Sequence, residues 1–120
     1  MSKRTVVLGA SIKEERYSNQ AIRRLKKAGH EVIAVGRKEG IVDGINIQTE
    51  NPTDLEIDTI TLYLSPKNQE GLFHYIKKVE PKRVIFNPGT EDAALASQLK
   101  KHDIEVVYGC TLVMLSVGTF

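Results

Sequence analysis

Short β-branched runs and helical apolar stripes alternate along this chain. Thr5-Val6-Val7-Leu8 ends at Gly9 and predicts a buried strand. A polar stretch over residues 10–17 follows, and Ser18 then stands as an N-cap candidate. Ala21, Ile22, Leu25 and Ala28 fall at helical spacing, with Arg23, Arg24, Lys26 and Lys27 opposite them. Gly29 stops that helix, and residues 31–35 predict a second strand, completing a βαβ unit.

Residues 36–58 are less regular. Gly40, Asp43, Gly44 and Pro52 read as turns around one short strand at residues 45–48. The stretch 59–64, TITLYL, is a clear strand halted by Ser65-Pro66. A helix over 68–79 would bury Leu72, Phe73, Ile76 and Val79, and Pro81 closes that connection. Arg83-Val84-Ile85-Phe86 predicts the next strand, then the turn Asn87-Pro88-Gly89. Thr90 reads as a helix N-cap with Glu91 and Asp92 in the first turn, and Leu95, Ala96 and Leu99 as the buried stripe. The last strand is expected over 104–108. The apolar tail 111–120 reads as a helical turn or a strand.

Strands alternating with helices predict an α/β fold: a Rossmann-like, three-layer, mostly parallel sheet in the order 3-2-1-4-5-6, helices on both faces. Such sheets bind ligands outside the carboxyl ends of their strands, where the winding reverses. Four loops meet that rule. Gly9-Ala10-Ser11 would let the chain turn tightly against a phosphate, and Arg16, Tyr17, Ser18 and Asn19 stand at the following helix N-terminus. Gly36, Arg37 and Lys38 end the second strand. A NAD site would prefer an acid there, whereas two cations suit a phosphate on an adenosine ribose, as NADP and coenzyme A carry. Leu64, Ser65 and Pro66 would line the floor of a nucleotide groove, with Tyr63 either beside them or in the core. Asn87, Pro88 and Gly89 precede the third helix.

Composition narrows the classes. The 120 residues suit one domain spanning 1–120, and 41% hydrophobic content argues against disorder. The formal charge of +2 is too small for a nucleic-acid binder. No apolar run approaches the ~20 residues of a membrane span, and no signal-peptide core follows Met1, so a cytoplasmic location is expected. Cys110 is the one cysteine, which excludes an internal disulfide. It follows the last strand on the ligand edge and is the candidate reactive thiol, although free cysteines are mostly buried and inert. His30, His74 and His102 are scattered, and HxH, HExxH and CxxC are absent, so no metal is expected. The carboxylate pairs Glu14-Glu15 and Glu91-Asp92 read as solvated or dipole-complementing charges. With no G-x-S-x-G elbow either, no catalytic constellation stands out.

Taken together, these residues resemble the small, stand-alone CoA-binding domain proteins, a family similar to the CoA-binding domain of the succinyl-CoA synthetase α subunit. The likeness runs through Val6-Val7-Leu8-Gly9-Ala10-Ser11, Arg16-Tyr17-Ser18-Asn19, Gly29-His30-Glu31-Val32-Ile33-Ala34-Val35, Asn87-Pro88-Gly89 and Val106-Val107-Tyr108-Gly109-Cys110. It implies coenzyme A or an acyl-CoA at the carboxyl edge. Gly9, Ala10 and Ser11 would meet the phosphates, Lys38 the ADP portion, and residues 63–66 and 87–89 the rest. Many relatives have Asn-Pro before the lysine, where this chain has Gly36-Arg37. The ligases' catalytic and grasp domains have no counterpart, so a non-catalytic sensor, carrier or subunit is expected. The alternatives are an NADP-dependent reductase, for which G-x-G-x-x-G is missing, and a cofactor-free regulatory subunit. The apolar tail is the expected contact in a homodimer or with another protein partner.

Overall fold

The computed structural model describes residues 2–120. Its strands are β1 Thr5–Leu8, β2 Val32–Val35, β3 Gly40–Val42, β4 Ile45–Gln48, β5 Thr59–Leu62, β6 Arg83–Phe86 and β7 Glu105–Tyr108. Its helices are α1 Tyr17–Lys27, α2 Leu72–Val79, α3 Ala93–Lys101 and α4 Thr111–Val117. The strands form one sheet in the order β3-β4-β2-β1-β5-β6-β7. All neighbours pair parallel except β3 with β4.

Without β3, the order is the expected 3-2-1-4-5-6. The seventh strand is a correction. Residues 40–48 are a hairpin whose two-residue turn, Asp43-Gly44, holds φ of 50° and 80°. That is the type I′ geometry an Asp-Gly pair favours. The sequence shows the turn, but three residues of strand are too few to display a period.

Each strand sends alternate side chains to opposite faces. Val6, Leu8, Ile60, Leu62, Val84 and Phe86 meet Leu72, Tyr75 and Ile76 of α2 and Leu95, Ala96 and Leu99 of α3. Val7, Ala34 and Ile47 meet Ile22 and Leu25 of α1. Next to this second cluster, under α4, the sheet is polar. Thr59, Thr61, Arg83, Asn87 and Thr111 are all buried there. They hydrogen-bond one another, as buried polar groups generally do, although Arg83 Nη2 finds no partner. Arg83 Nε donates to Thr59 Oγ1 at 2.8 Å, the Thr61 and Thr111 hydroxyls lie 2.8 Å apart, and Asn87 Nδ2 donates to Thr61 Oγ1 at 2.7 Å.

Three helix starts differ from expectation. Helix α1 begins at Tyr17 with Arg16 as its cap, so Ser18 is a buried first-turn residue and not the N-cap; Ala28, at the other end, is exposed. Helix α2 begins only at Leu72, after Gly71 at φ 77°, and Pro66–Asn68 form a separate 3-10 turn. Helix α3 is capped by Asp92, whose Oδ1 accepts the Leu95 N–H at 3.1 Å. Thr90 is not the cap because its hydroxyl donates to the Asn87 carbonyl at 2.8 Å. The tail forms α4, tied to α1 by Arg24 Nη2 donating to Ser116 Oγ at 2.7 Å. Among the described residues no helix is long and apolar enough to cross a membrane.

Candidate functional site at the carboxyl edge

The loops after β1, β2, β5 and β6 leave the same edge, because those strands are parallel and adjacent. The winding reverses between β1 and β5, with α1 on one face and α2 and α3 on the other. That makes the β1–β5 boundary the switch-point crevice.

Around it the loops are stitched at backbone distance. Gly9 and Ala10 N–H both donate to the Val35 carbonyl, at 3.0 and 2.9 Å, and Tyr63 N–H donates to Leu8 O at 2.8 Å. Gly9 has φ 99°, and a Cβ there would lie 2.8 Å from the Tyr63 carbonyl oxygen. A Cβ on Gly36 would run into the Ala10 carbonyl. Both glycines therefore answer to neighbouring loops. With their amides taken, Gly9 and Ala10 offer a ligand shape and not amide protons.

The free donors lie further on. Ser11 Oγ accepts the Lys13 N–H at 3.1 Å, which leaves its own proton to give. Asn19 is fully buried, donates to Ser11 O at 2.9 Å and accepts from Arg23 Nε at 2.9 Å, so it holds the loop in shape. At Arg16 no side chain caps α1, and its first turn carries no acid. The opening N–H groups of that 11-residue helix thus have no capping side-chain oxygen and no acid in their own turn, while Glu14, just upstream, is paired with Arg23 at 3.8 Å. Lys13, Arg16 and Lys38 are exposed, and among the described residues their ammonium and guanidinium groups enter no salt bridge. Tyr17 stands exposed beside them, while Ser18 is buried. Arg37 Nη2 donates to Asn68 Oδ1 at 3.2 Å, and Asn68 Nδ2 to Ser65 Oγ at 3.0 Å.

The loop after β6 is finished differently. Asn87 is buried, and every polar atom of its side chain is engaged: Nδ2 with Thr61 Oγ1 and Leu62 O, and Oδ1 with the Thr111 N–H at 2.8 Å. Glu91 Oε1 accepts the Gly89 N–H at 2.9 Å. Pro88 and Gly89 are exposed at the tip. Gln69 was not singled out in the sequence. It is buried, and its Nε2 donates to Leu64 O at 2.8 Å and Thr90 O at 2.7 Å, joining this loop to the one after β5. Nothing in the sequence around it signals that role. Lys13, also not singled out, was legible as a cation in the first loop.

Tyr63 turns its ring toward the α1 side and keeps only its backbone at the crevice. Its hydroxyl is buried near Thr61 and Thr111 without a hydrogen bond, and burial pushes the phenol up to about 12. Cys110 is half-buried at the end of β7, on the same edge.

Two hollows lie off this crevice. One of about 320 Å3 opens at the amino edge among Arg4, Glu31, Asp58 and Lys82, opposite the side where parallel sheets bind ligands. The other, about 380 Å3, lies between Lys67, Gln69 and Gly71 and the start of α3 at Asp92 and Leu95. It adjoins the loop after β5 at Pro66 and does not include Ser11 or α1.

Residues 3–116 match the family model described as CoA binding domain. A crystal structure of an uncharacterized protein is 52% identical, with TM-score 0.95, covering 100% of this chain and 99% of that one. A hypothetical protein from Pyrococcus horikoshii OT3 shares the fold at 23% identity and TM-score 0.87, over 97% of this chain and 83% of that one. The dinucleotide forming acetyl-coenzyme A synthetase 1 of Ca. Korarchaeum cryptofilum, solved with phosphate and ADP, shares it at 16% identity and TM-score 0.73. There the match covers 89% of this chain but only 25% of the synthetase. No curated protein matches the sequence.

Proposed function

The chain belongs to the CoA binding domain family, and from that premise we propose that it binds coenzyme A or an acyl-CoA along the carboxyl edge, without performing chemistry on it. The observation that carries this reading is the N-terminus of α1 at the switch point, with no side-chain cap, no acid in its first turn, and Lys13, Arg16 and Lys38 outside any salt bridge among the described residues. A diphosphate there would complete the opening N–H groups of the helix, supplying the anion the dipole favours. The Ser11 hydroxyl and Arg16 would complete its shell. Lys38 and Arg37 would face the ribose phosphate. Leu64, Ser65 and Pro66 would run beside the pantetheine arm, with Pro88 and Gly89 bounding the far side.

Titration calorimetry of the ligand-free protein with CoA, NADP and NAD tests the reading. CoA alone should bind. Preference for NADP would transfer the site to a reductase, which shares the need for Arg37 and Lys38, and no binding by any of them would leave a regulatory subunit. Cys110 is the thiol to probe in the same samples. If it lies along the ligand, CoA should slow its alkylation.

A cytoplasmic location is part of the proposal, and cell fractionation tests it. So is a protein contact through the tail. Leu115 and Phe120 pack inward, which narrows the contact to Val113 and Val117, 57% and 64% exposed. A strictly monomeric mass by light scattering would exclude a homodimer.

A further inference from the structure

Arg37 and Asn68 stand on loops that are not neighbours. Arg37 follows β2, Asn68 follows β5, and β1 lies between them in the sheet. Strands two places apart are about 10 Å apart. The guanidinium therefore reaches across the carboxyl end of β1, and its bond to Asn68 bridges the loops on either side of that strand. Asn68 is set for this contact. Its backbone N–H donates to Ser65 O at 2.8 Å within the 3-10 turn, and its Nδ2 to Ser65 Oγ at 3.0 Å, which leaves Oδ1 facing Arg37. Asn68 holds the fixed end of this strap, and Arg37, an exposed long side chain, is the arm.

We infer that Asn68 is an internal competitor for the ligand, occupying Arg37 in the free protein in the place a phosphate oxygen takes in the complex. The inference rests on the CoA-binding reading and adds a residue that tunes affinity. A neutral amide oxygen 3.2 Å away is a weak partner for a guanidinium. A phosphate offers charge and two-point geometry, which makes such bonds roughly twice as strong. The ligand wins the exchange, and the strap lowers its net affinity by what breaking the bond costs.

CoA titrations of four proteins test this: wild type, Asn68→Ala, Arg37→Ala and the double variant, each checked by circular dichroism for a native spectrum. Asn68→Ala should bind CoA about threefold more tightly than wild type, the equivalent of one exposed hydrogen bond removed. Arg37→Ala should bind more weakly, and in its background Asn68→Ala should change nothing, because the competitor acts only through that guanidinium. Asn68→Asp, which turns the strap into an ion pair, should weaken binding below wild type. If Asn68→Ala leaves affinity unchanged or lowers it, or if its effect persists without Arg37, the strap is refuted while CoA binding stands. If wild type takes up no CoA, the functional reading falls, and this inference with it.

Discussion

Four helices begin on the ligand edge of the sheet, and two of them, α1 after β1 and α3 after β6, have N-termini completed in opposite ways. At α3 the protein supplies its own anions: Asp92 caps the helix and Glu91 takes the Gly89 N–H. At α1 the cap is an arginine, no acid stands in the first turn, and the surrounding cations are unpaired. A helix end left uncapped forgoes roughly 1 kcal/mol of stability. The chain accepts that loss at one site and avoids it at another of similar topology. Helices α2 and α4 also lack a side-chain cap, but α2 starts beyond a 3-10 turn and the first N–H of α4 is taken by Asn87 Oδ1; in the CoA-binding reading it is α1, at the switch point, that receives the ligand's phosphate.

The contrast can be attacked in order of effect size. Gly9→Val should be the most damaging change. The left-handed φ and the collision with Tyr63 together cost on the order of 3 kcal/mol or more, read by chemical denaturation. It removes the platform below α1 and says nothing about ligand contacts. Asn87→Ala strips partners from Leu62 O, Thr61 and the Thr111 N–H. It should cost about 2 kcal/mol while CoA affinity of the folded protein stays within about twofold. A large loss of affinity at unchanged stability would make the Asn87 side chain itself a ligand contact.

Asp92→Ala and Lys38→Ala should part company. The first removes the α3 cap, costing about 1 kcal/mol of stability with CoA binding unchanged. The second should leave stability alone and weaken CoA about fivefold, with dephospho-CoA unaffected if Lys38 faces the ribose phosphate. Equal loss for both ligands would reject that role.

The smallest effect lies at the amino edge. Burial, and then Lys3, hold the His30 imidazole below its ordinary value of 6.5, and its Nδ1 accepts the Lys3 N–H. The unfolded chain therefore takes up the proton first. This contribution to stability is full above pH 6.5 and declines as pH falls from there toward the folded value. Thermal melts should show the decline, and His30→Gln should flatten it. CoA affinity per folded molecule should not follow this titration, since His30 lies across the sheet from the site.

The parallel strands and the edge they share were legible because Val6, Val7, Ile60 and Ile85 sit in strongly apolar runs bounded by Gly and Pro. The hairpin strand β3 was not, being shorter than its own period. The helix starts were misplaced because Ser18 and Thr90 have the chemistry of caps, while tertiary contacts decide the matter. Ser18 is buried, and Asn87 claims Thr90. The first loop could be read as a candidate ligand loop from its composition. Which of its amides are free could not, because the Val35 carbonyl that takes two of them arrives from another strand. The same holds for the Asn-Pro-Gly turn, where only the register of β5, β6 and α4 reveals that the Asn87 side-chain amide is already engaged within the protein.

Arg16→Asp tests the contrast most directly, measured by calorimetry with CoA alongside a thermal melt. The substitution gives α1 the kind of cap α3 already has. The account predicts a melting temperature equal to or above that of wild type and CoA binding weakened by more than about tenfold. Unchanged CoA affinity in a protein stabilised this way would contradict it.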